Sequence, residues 1–384
     1  MAIDLLKAFK ASELHDKNVN FLIGSGASAS FIPTLKINDD FTYEDILSKA
    51  EFAEIENIIY YLYYNDILKK SFCHLPTEKN DRLKYKKTLI NYLRFIKSLV
   101  TLVNNKSANQ IRRANIFTTN YDLFMERASD ILLSRTANFI FNDGARGLSK
   151  RHLSISNFHT STWHQGTNDL YKFEIPTINM IKMHGSVSWN KVDNDIIRVS
   201  YPEGYVSTLD ANLENNNTIQ EIVELVNTNA FIYSAKDSIR LSGNDDTILN
   251  NFRVEYNKLA IVNPTKAKFE ETVFQQHYYQ SLRLLSYELE KPQTVLICFG
   301  FSFKDEHIRE IIYRSLSNPS LIVYVFCYKK SDKEAMKKII NNKKIIFISP
   351  SNNEKGNVID IKRFINCIFP NGRENALENL TCNF

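Results

Sequence analysis

The sequence predicts an α/β protein: a Rossmann-like parallel sheet with helices on both faces. Three observations predict it. Short apolar runs rich in β-branched and aromatic residues recur along the 384 residues, and helical patterns separate them. Runs such as "TVLICF" and "LIVYVF" lack polar alternation, as strands buried on both faces should. Parallel neighbours need a crossover connection, so strand–helix–strand alternation is the mark of such a sheet. The composition, 43% hydrophobic and 24% charged, supplies a sizeable core and excludes bulk disorder.

In chain order, strands are expected at Val19–Ile23, Asn115–Thr118, Ile178–Met183, Lys258–Val262, Thr294–Phe299, Leu321–Cys327 and Lys344–Ile348. Helices are expected at Asp122–Ser134, Phe269–Glu290, Asp305–Leu316, Lys333–Ile340 and Asp360–Phe369. The chain reads as a single domain, 1–384, carrying two insertions. The first, 43–110, has a helical pattern throughout and reads as an inserted helical subdomain; its Tyr-rich segment "IIYYLYYNDIL" suits helix packing or a protein interface. The second, 187–250, opens with a hairpin turning at Asp193-Asn194-Asp195 and continues with a helix around Ile219–Val226. The segment "NLENNNT" and the tail 370–384 are polar and read as mobile.

The formal charge of +5 is mild, and the pairs Arg112-Arg113, Lys329-Lys330, Lys337-Lys338 and Lys343-Lys344 fall on different elements. They read as solvated faces, so nucleic acid is not a required partner. Five cysteines, at 73, 298, 327, 367 and 382, include no CxxC pair, which excludes a zinc knuckle or a vicinal redox couple. A reducing, cytoplasmic setting is expected. Charges crowd the N-terminal turns and no apolar run reaches bilayer-spanning length, so neither an export signal nor a membrane span is expected. His152, His159 and His164 share a polar loop without HxxxH spacing, and no metal is expected.

Four segments carry chemistry. In "NVNFLIGSGASASFIP", Gly24-x-Gly26-x-x-Ala29 follows the first strand and matches a dinucleotide fingerprint. Its glycines permit a tight turn and a close pyrophosphate, and a following helix N-terminus adds free N–H groups. A dehydrogenase places an acidic residue at the end of the next strand. Here Asp39, Asp40, Glu44 and Asp45 precede helical pattern instead, which disfavours hydride transfer. In "NIFTTNYDLFMERA", Thr118, Thr119, Asn120 and Asp122 bring short polar side chains to a strand's carboxyl end, although capping alone accounts for Asp122. In "INMIKMHGSVSW", His184-Gly185-Ser186 brings an imidazole to the same edge. In "VLICFGFSFKDEHIREII", Gly300, Ser302 and Asp305 join a buried strand to a helix.

Taken in order, "GSGAS", "TTNYD", "KMHGS" and "GFSFKDEHI" resemble the four NAD⁺-binding and catalytic motifs of sirtuins. The resemblance is closer to the bacterial sirtuin-like proteins of antiphage defence, in which "NPTKAKFEE" is also familiar, and it covers about Val19 to Ile348 outside the insertions. It implies a hydrolase that cleaves NAD⁺, its substrate, at the nicotinamide–ribose bond. Asn120 and His184 would be catalytic. Gly24, Ser25, Gly26, Ala27, Ser28, Thr119, Asp122, Gly300, Ser302 and Asp305 would bind the dinucleotide. The resemblance further implies a homo-oligomer, activated by a phage trigger or a partner such as a HerA-type ATPase. No cysteine lies between Gly185 and Cys298, so the zinc ribbon of protein-deacylating sirtuins is absent. That disfavours an NAD-dependent deacylase. A non-catalytic NAD or ADP-ribose-binding module is disfavoured by the intact Asn120 and His184, and a nuclease by the lack of a carboxylate cluster.

Overall fold

The computed structural model describes residues 14–37, 42–49, 53, 55–107, 110–135, 138–168, 171–193, 196–201, 213–214, 216–227, 242–265, 275–350 and 357–369. Asp39, Asp40, Asn194, Asp195, residues 212 and 215 of "NLENNNT", residues 266–271 of "NPTKAKFEE", the first turns of the expected helix at Phe269 and the tail 370–384 lie outside them.

Seven parallel strands form the central sheet: β1 (Asn18–Ile23), β2 (Arg113–Thr118), β3 (Ile140–Asn142), β4 (Thr177–Lys182), β5 (Thr294–Phe299), β6 (Ile322–Phe326) and β7 (Ile345–Ile348). Their order across the sheet is β7-β6-β5-β1-β2-β4-β3. Helices flank both faces, so the fold is the expected α/β one. Side chains alternate between two cores because successive strand residues point to opposite faces. Val19, Phe21, Ile23, Val295, Ile297 and Phe299 enter one core; Leu22, Leu296 and Cys298 enter the other. A strand buried on both faces can carry apolar residues at successive positions, which is why "TVLICF" shows no alternation.

The first core is covered by α1 (Tyr43–Leu47), α2 (Glu56–Tyr63), α3 (Lys79–Asn104) and α4 (Phe124–Leu133). The helices of the 43–110 insertion thus share one core with the sheet. Tyr60, Tyr61, Tyr63 and Tyr64 are buried there, so the Tyr-rich run is internal packing. Further along come α5 (Asn217–Asn227) and α6 (Gly243–Tyr256). The second core is closed by α7 (Gln276–Glu290) and α8 (Glu306–Ser315), with α9 (Lys330–Ile339) lying over it; α10 (Ile361–Ile368) returns to the first.

Two elements differ from expectation. The run at Lys258–Val262 forms a strand, Leu259–Ile261, but it joins a separate five-stranded antiparallel sheet beside Gly185–Asp193. A short buried run looks alike in either sheet, and its partner is chosen by tertiary packing. The strand β3 was not expected, since three residues reading "IFN" carry too little pattern. The expected hairpin is present: Gly185–Asp193 pairs antiparallel with Ile196–Val199.

A buried asparagine ladder crosses four strands. Asn115 Nδ2 donates to Asn20 Oδ1 (2.8 Å), Asn179 Nδ2 to Asn115 Oδ1 (3.0 Å) and Asn142 Nδ2 to Asn179 Oδ1 (2.9 Å). The register places these residues opposite one another on β1, β2, β4 and β3. A one-residue slip would move each amide to the other face and leave it unpaired in an apolar core, so the ladder specifies register.

Candidate active site

All seven strands point the same way, so the loops after β1, β2, β4 and β5 share the carboxyl edge, where open α/β sheets bind ligands. The loop after β1 makes a single turn of 3-10 helix, Ser25–Ala27, and no α-helix follows directly. The expected helix N-terminus at this loop is therefore not there. The amides of Gly24 and Gly26 donate to Phe299 O and Gly300 O, and those of Ala27 and Ser28 donate within the loop. A Cβ on Gly24 would lie 2.4 Å from Gly300 O, and Gly300 itself adopts φ +67°. These glycines let the backbones of the loops after β1 and β5 meet. Ser25 and Gly26 are exposed at the rim.

Ser28 and Asp122 are turned inward as well. The Ser28 hydroxyl donates to Asp122 Oδ2 (2.8 Å). With its proton committed there, it accepts from the Tyr92 hydroxyl (2.8 Å). Asp122 Oδ1 accepts from the Phe124 amide (3.2 Å), as a residue leading into a helix should. Burial raises the Asp122 carboxyl above its usual range, against the opposing pull of Lys182 and its hydrogen bonds. Both residues tie the loop after β1 to the loop after β2.

Beneath that loop lies a buried ion pair, Lys182 Nζ to Glu126 Oε1 at 2.7 Å. Lys182 also donates to Asp122 O (2.6 Å) and Ser186 Oγ (3.0 Å). Desolvation pushes the Glu126 carboxyl up to about 7 despite the ammonium beside it. Neither residue is marked by the sequence, because the pair spans two elements, a strand and a helix.

Asn120 stands apart from these satisfied groups. Its backbone amide donates to Thr118 Oγ1 (3.0 Å), which fixes the turn. Its side chain is only 7% exposed, yet neither Oδ1 nor Nδ2 has a hydrogen-bond partner. It lies close enough to Asp122 and Tyr92 to favour the charged form of each. A buried amide left unpaired costs about 1–3 kcal/mol per group, which a fold seldom tolerates without a use. Thr119 is half-buried next to it.

His184 occupies the corner where β4 passes into the antiparallel sheet. Gly185 takes φ +87°, and a Cβ there would meet Ala260 O at 2.0 Å, so the glycine serves backbone packing at the corner. The His184 carbonyl accepts from the Val262 amide (2.8 Å). Its ring is 4% exposed, and its Nε2 lies 3.1 Å from Nε2 of His307. His307 is in the first turn of α8, within the quoted "GFSFKDEHI" but not among the expected site residues. No local signal distinguishes it, because its partner lies 123 residues away. Ser302 is exposed and Asp305 half-buried at the head of α8.

These contacts close a circuit. Gly26 joins Gly300, Ser28 joins Asp122, the Val187 amide joins Tyr121 O, and His184 joins His307. In the sheet β4 and β5 are separated by β1 and β2, a span of about 14 Å at the usual strand spacing. The His184–His307 contact bridges it over the carboxyl edge, with Asn120 on one of the loops between. The four segments expected to converge do share one rim. No protein-family model matches the chain, and no curated protein matches it. Among the described residues, no cluster of three or more His, Cys, Asp or Glu is placed to hold a metal ion, and no helix is long and apolar enough to cross a membrane.

Proposed function

We propose that this chain is a sirtuin-like NAD⁺ hydrolase, cleaving NAD⁺ to nicotinamide and ADP-ribose. The observation that carries the reading is the unpaired, buried amide of Asn120 at the carboxyl edge, within the circuit of loops that ends on His184. The chemistry asks for little more. Nicotinamide departs from a pyridinium as a neutral molecule, the glycosidic electron pair going to its ring nitrogen. The obstacle is a ribosyl cation and a well-placed water, as in other oxocarbenium reactions. Asn120 can accept from the water through Oδ1 and donate to a ribose hydroxyl through Nδ2, a positioning role. His184 takes the proton as the water adds to C1′. Gly24, Ser25, Gly26, Ala27, Thr119, Gly300, Ser302 and Asp305 border the same rim and would contact the rest of the dinucleotide.

Resemblance to the defence proteins extends the proposal to antiphage NAD⁺ depletion in the cytoplasm, by an oligomer switched on by a phage trigger or a HerA-type ATPase. The test is nicotinamide release by the pure protein, alone and with the product of the neighbouring gene. Turnover without peptide, lost in Asn120→Ala and His184→Ala variants that still fold, supports the reading. Turnover that requires an acylated peptide replaces it with a deacylase, and NAD⁺ binding without turnover replaces it with a sensor.

A further inference from the structure

We infer that the amino edge of the sheet, opposite the candidate site, binds single-stranded nucleic acid, with bases stacked on Trp163 and Tyr171 and phosphates held by Arg113, Arg146 and Lys172. The inference is independent of the hydrolase reading. Between β3 and β4 the chain forms a hairpin, Trp163–His164 paired antiparallel with Phe173–Glu174, that belongs to neither larger sheet. Strands of two residues have little backbone bonding to hold them, so the side chains must do it. On one face the rings of His164, Phe173 and Tyr171 lie nearly parallel: His164 to Phe173 is 5.1 Å at 24°, and Tyr171 to Phe173 is 6.1 Å at 11°. Trp163 occupies the alternate position, with Lys172 Nζ 4.7 Å from its ring centre.

Holding the hairpin together accounts for Phe173, which is half-buried, but not for the outer rings. Trp163 is 47% exposed and Tyr171 59%. One exposed ring is ordinary on a protein surface; several held flat on one small hairpin are not. The hairpin leads into β4 at Thr177, and Arg113 opens the parallel neighbour β2, so rings and guanidinium share the amino edge. The sequence leaves Arg112-Arg113 as a solvated face because its contacts with this segment span 47 residues.

Charge decides the occupant. Arg113 Nη2 donates to Thr160 O (3.3 Å) and Ser161 Oγ (3.1 Å), and Arg146 Nη2 donates to Thr160 Oγ1 (2.8 Å). Arg113 Nε is buried without a hydrogen-bond partner. Among the described residues, the two guanidiniums and the Lys172 ammonium meet neutral oxygens and a ring, and no carboxylate. Glu174 is buried, and its Oε2 accepts from the Arg112 amide (2.9 Å). Cations without counter-charges beside open π-faces ask for an anion that carries flat rings. A nucleic-acid strand supplies both, its phosphates to the cations and its bases to the rings, whereas an acidic peptide supplies only the charge. A duplex keeps its bases stacked on one another and cannot offer them.

The experiment titrates the full chain with fluorescein-labelled oligo-dT and oligo-U strands of about 20 nucleotides, a DNA duplex of the same length and a poly-glutamate peptide, read by anisotropy. Both strands should bind more tightly than the duplex or the peptide, and the tighter of the two names the source, DNA or RNA. Binding should quench tryptophan fluorescence, a signal that reports Trp163 because the other tryptophan, Trp189, is 4% exposed in a core. Trp163→Ala and Tyr171→Ala should each weaken the strands about 10-fold, the scale of one lost base stack. Tyr171→Phe should stay within about twofold of wild type, and Tyr171→Leu, apolar but without a π-face, should behave like alanine. Arg146→Gln and Lys172→Gln should each lower the slope of log affinity against log salt by about 0.7. Failure to bind either strand overturns the inference, as does a duplex or poly-glutamate bound as tightly as the strands. Ring variants equal to wild type, a leucine variant equal to phenylalanine, or an unchanged salt slope in both cation variants overturns it too.

Discussion

Two asparagines five residues apart, Asn115 within β2 and Asn120 just beyond it, are both buried and meet opposite fates. Asn115 is held on both sides, donating to Asn20 and accepting from Asn179. Asn120 has no partner for either side-chain atom. The first pattern is what a fold does with polar groups it needs for register: every member is satisfied, since a half-satisfied network costs more than an apolar core. The second is what the proposed hydrolase would use, an amide left for a ligand to engage. On that proposal the chain changes purpose at the carboxyl end of β2, from specifying the sheet to furnishing the site.

The sharpest way to break the comparison is to exchange the outcomes. Asn120→Ala should reduce nicotinamide release by about 10²–10³-fold, the scale of a lost positioning or oxyanion-type contact. Activity within a few-fold of wild type would make Asn120 a packing residue. Asn115→Ala should lower stability by about 2–5 kcal/mol in urea unfolding, because it strands Asn20 Oδ1 and removes an acceptor from Asn179. A loss under 1 kcal/mol would mean the ladder does not specify the sheet.

A third measurement uses pH. The Glu126 carboxyl is raised from 4.5 to about 7 in the folded protein by desolvation. Its protonated form is favoured by folding, so its stabilising contribution is present below the unfolded value and fades as pH rises toward 7. Relative to Glu126→Gln, wild type should lose about 2–3 kcal/mol between pH 4.5 and 7. A flat difference, or one of opposite sign, would show the Lys182 pair to dominate instead. The smallest effect is the stability of Asn120→Ala, within about 1 kcal/mol of wild type, since the substitution removes an unpaired group and few contacts. A large loss would reveal a structural partner.

The sheet was legible because its chemistry is local. "TVLICF" and "LIVYVF" need no neighbour to announce burial on both faces, and the helical patterns of residues 43–104 declare themselves by period. The strand at Leu259–Ile261 was legible as a strand but not as a member of its sheet, because partner choice is a tertiary matter. The site divides the same way. Asn120 and His184 could be named from their places after strands. The packing of Gly24 and Gly26 against Gly300 could not, since that partner lies far along the chain. The hydrogen bond between Ser28 and Asp122 was not legible either, because it spans 94 residues. Asn20, Asn115, Asn142 and Asn179, unremarkable singly, become a ladder only once register sets them side by side.

The most direct test of the central claim is a crystal structure of the His184→Ala protein soaked with NAD⁺, which keeps Asn120 and removes the base. The account predicts the nicotinamide ribose at the carboxyl edge, with the Asn120 amide hydrogen-bonded to it or to a water beside C1′. A dinucleotide bound elsewhere, or Asn120 still unpaired beside it, would contradict the account.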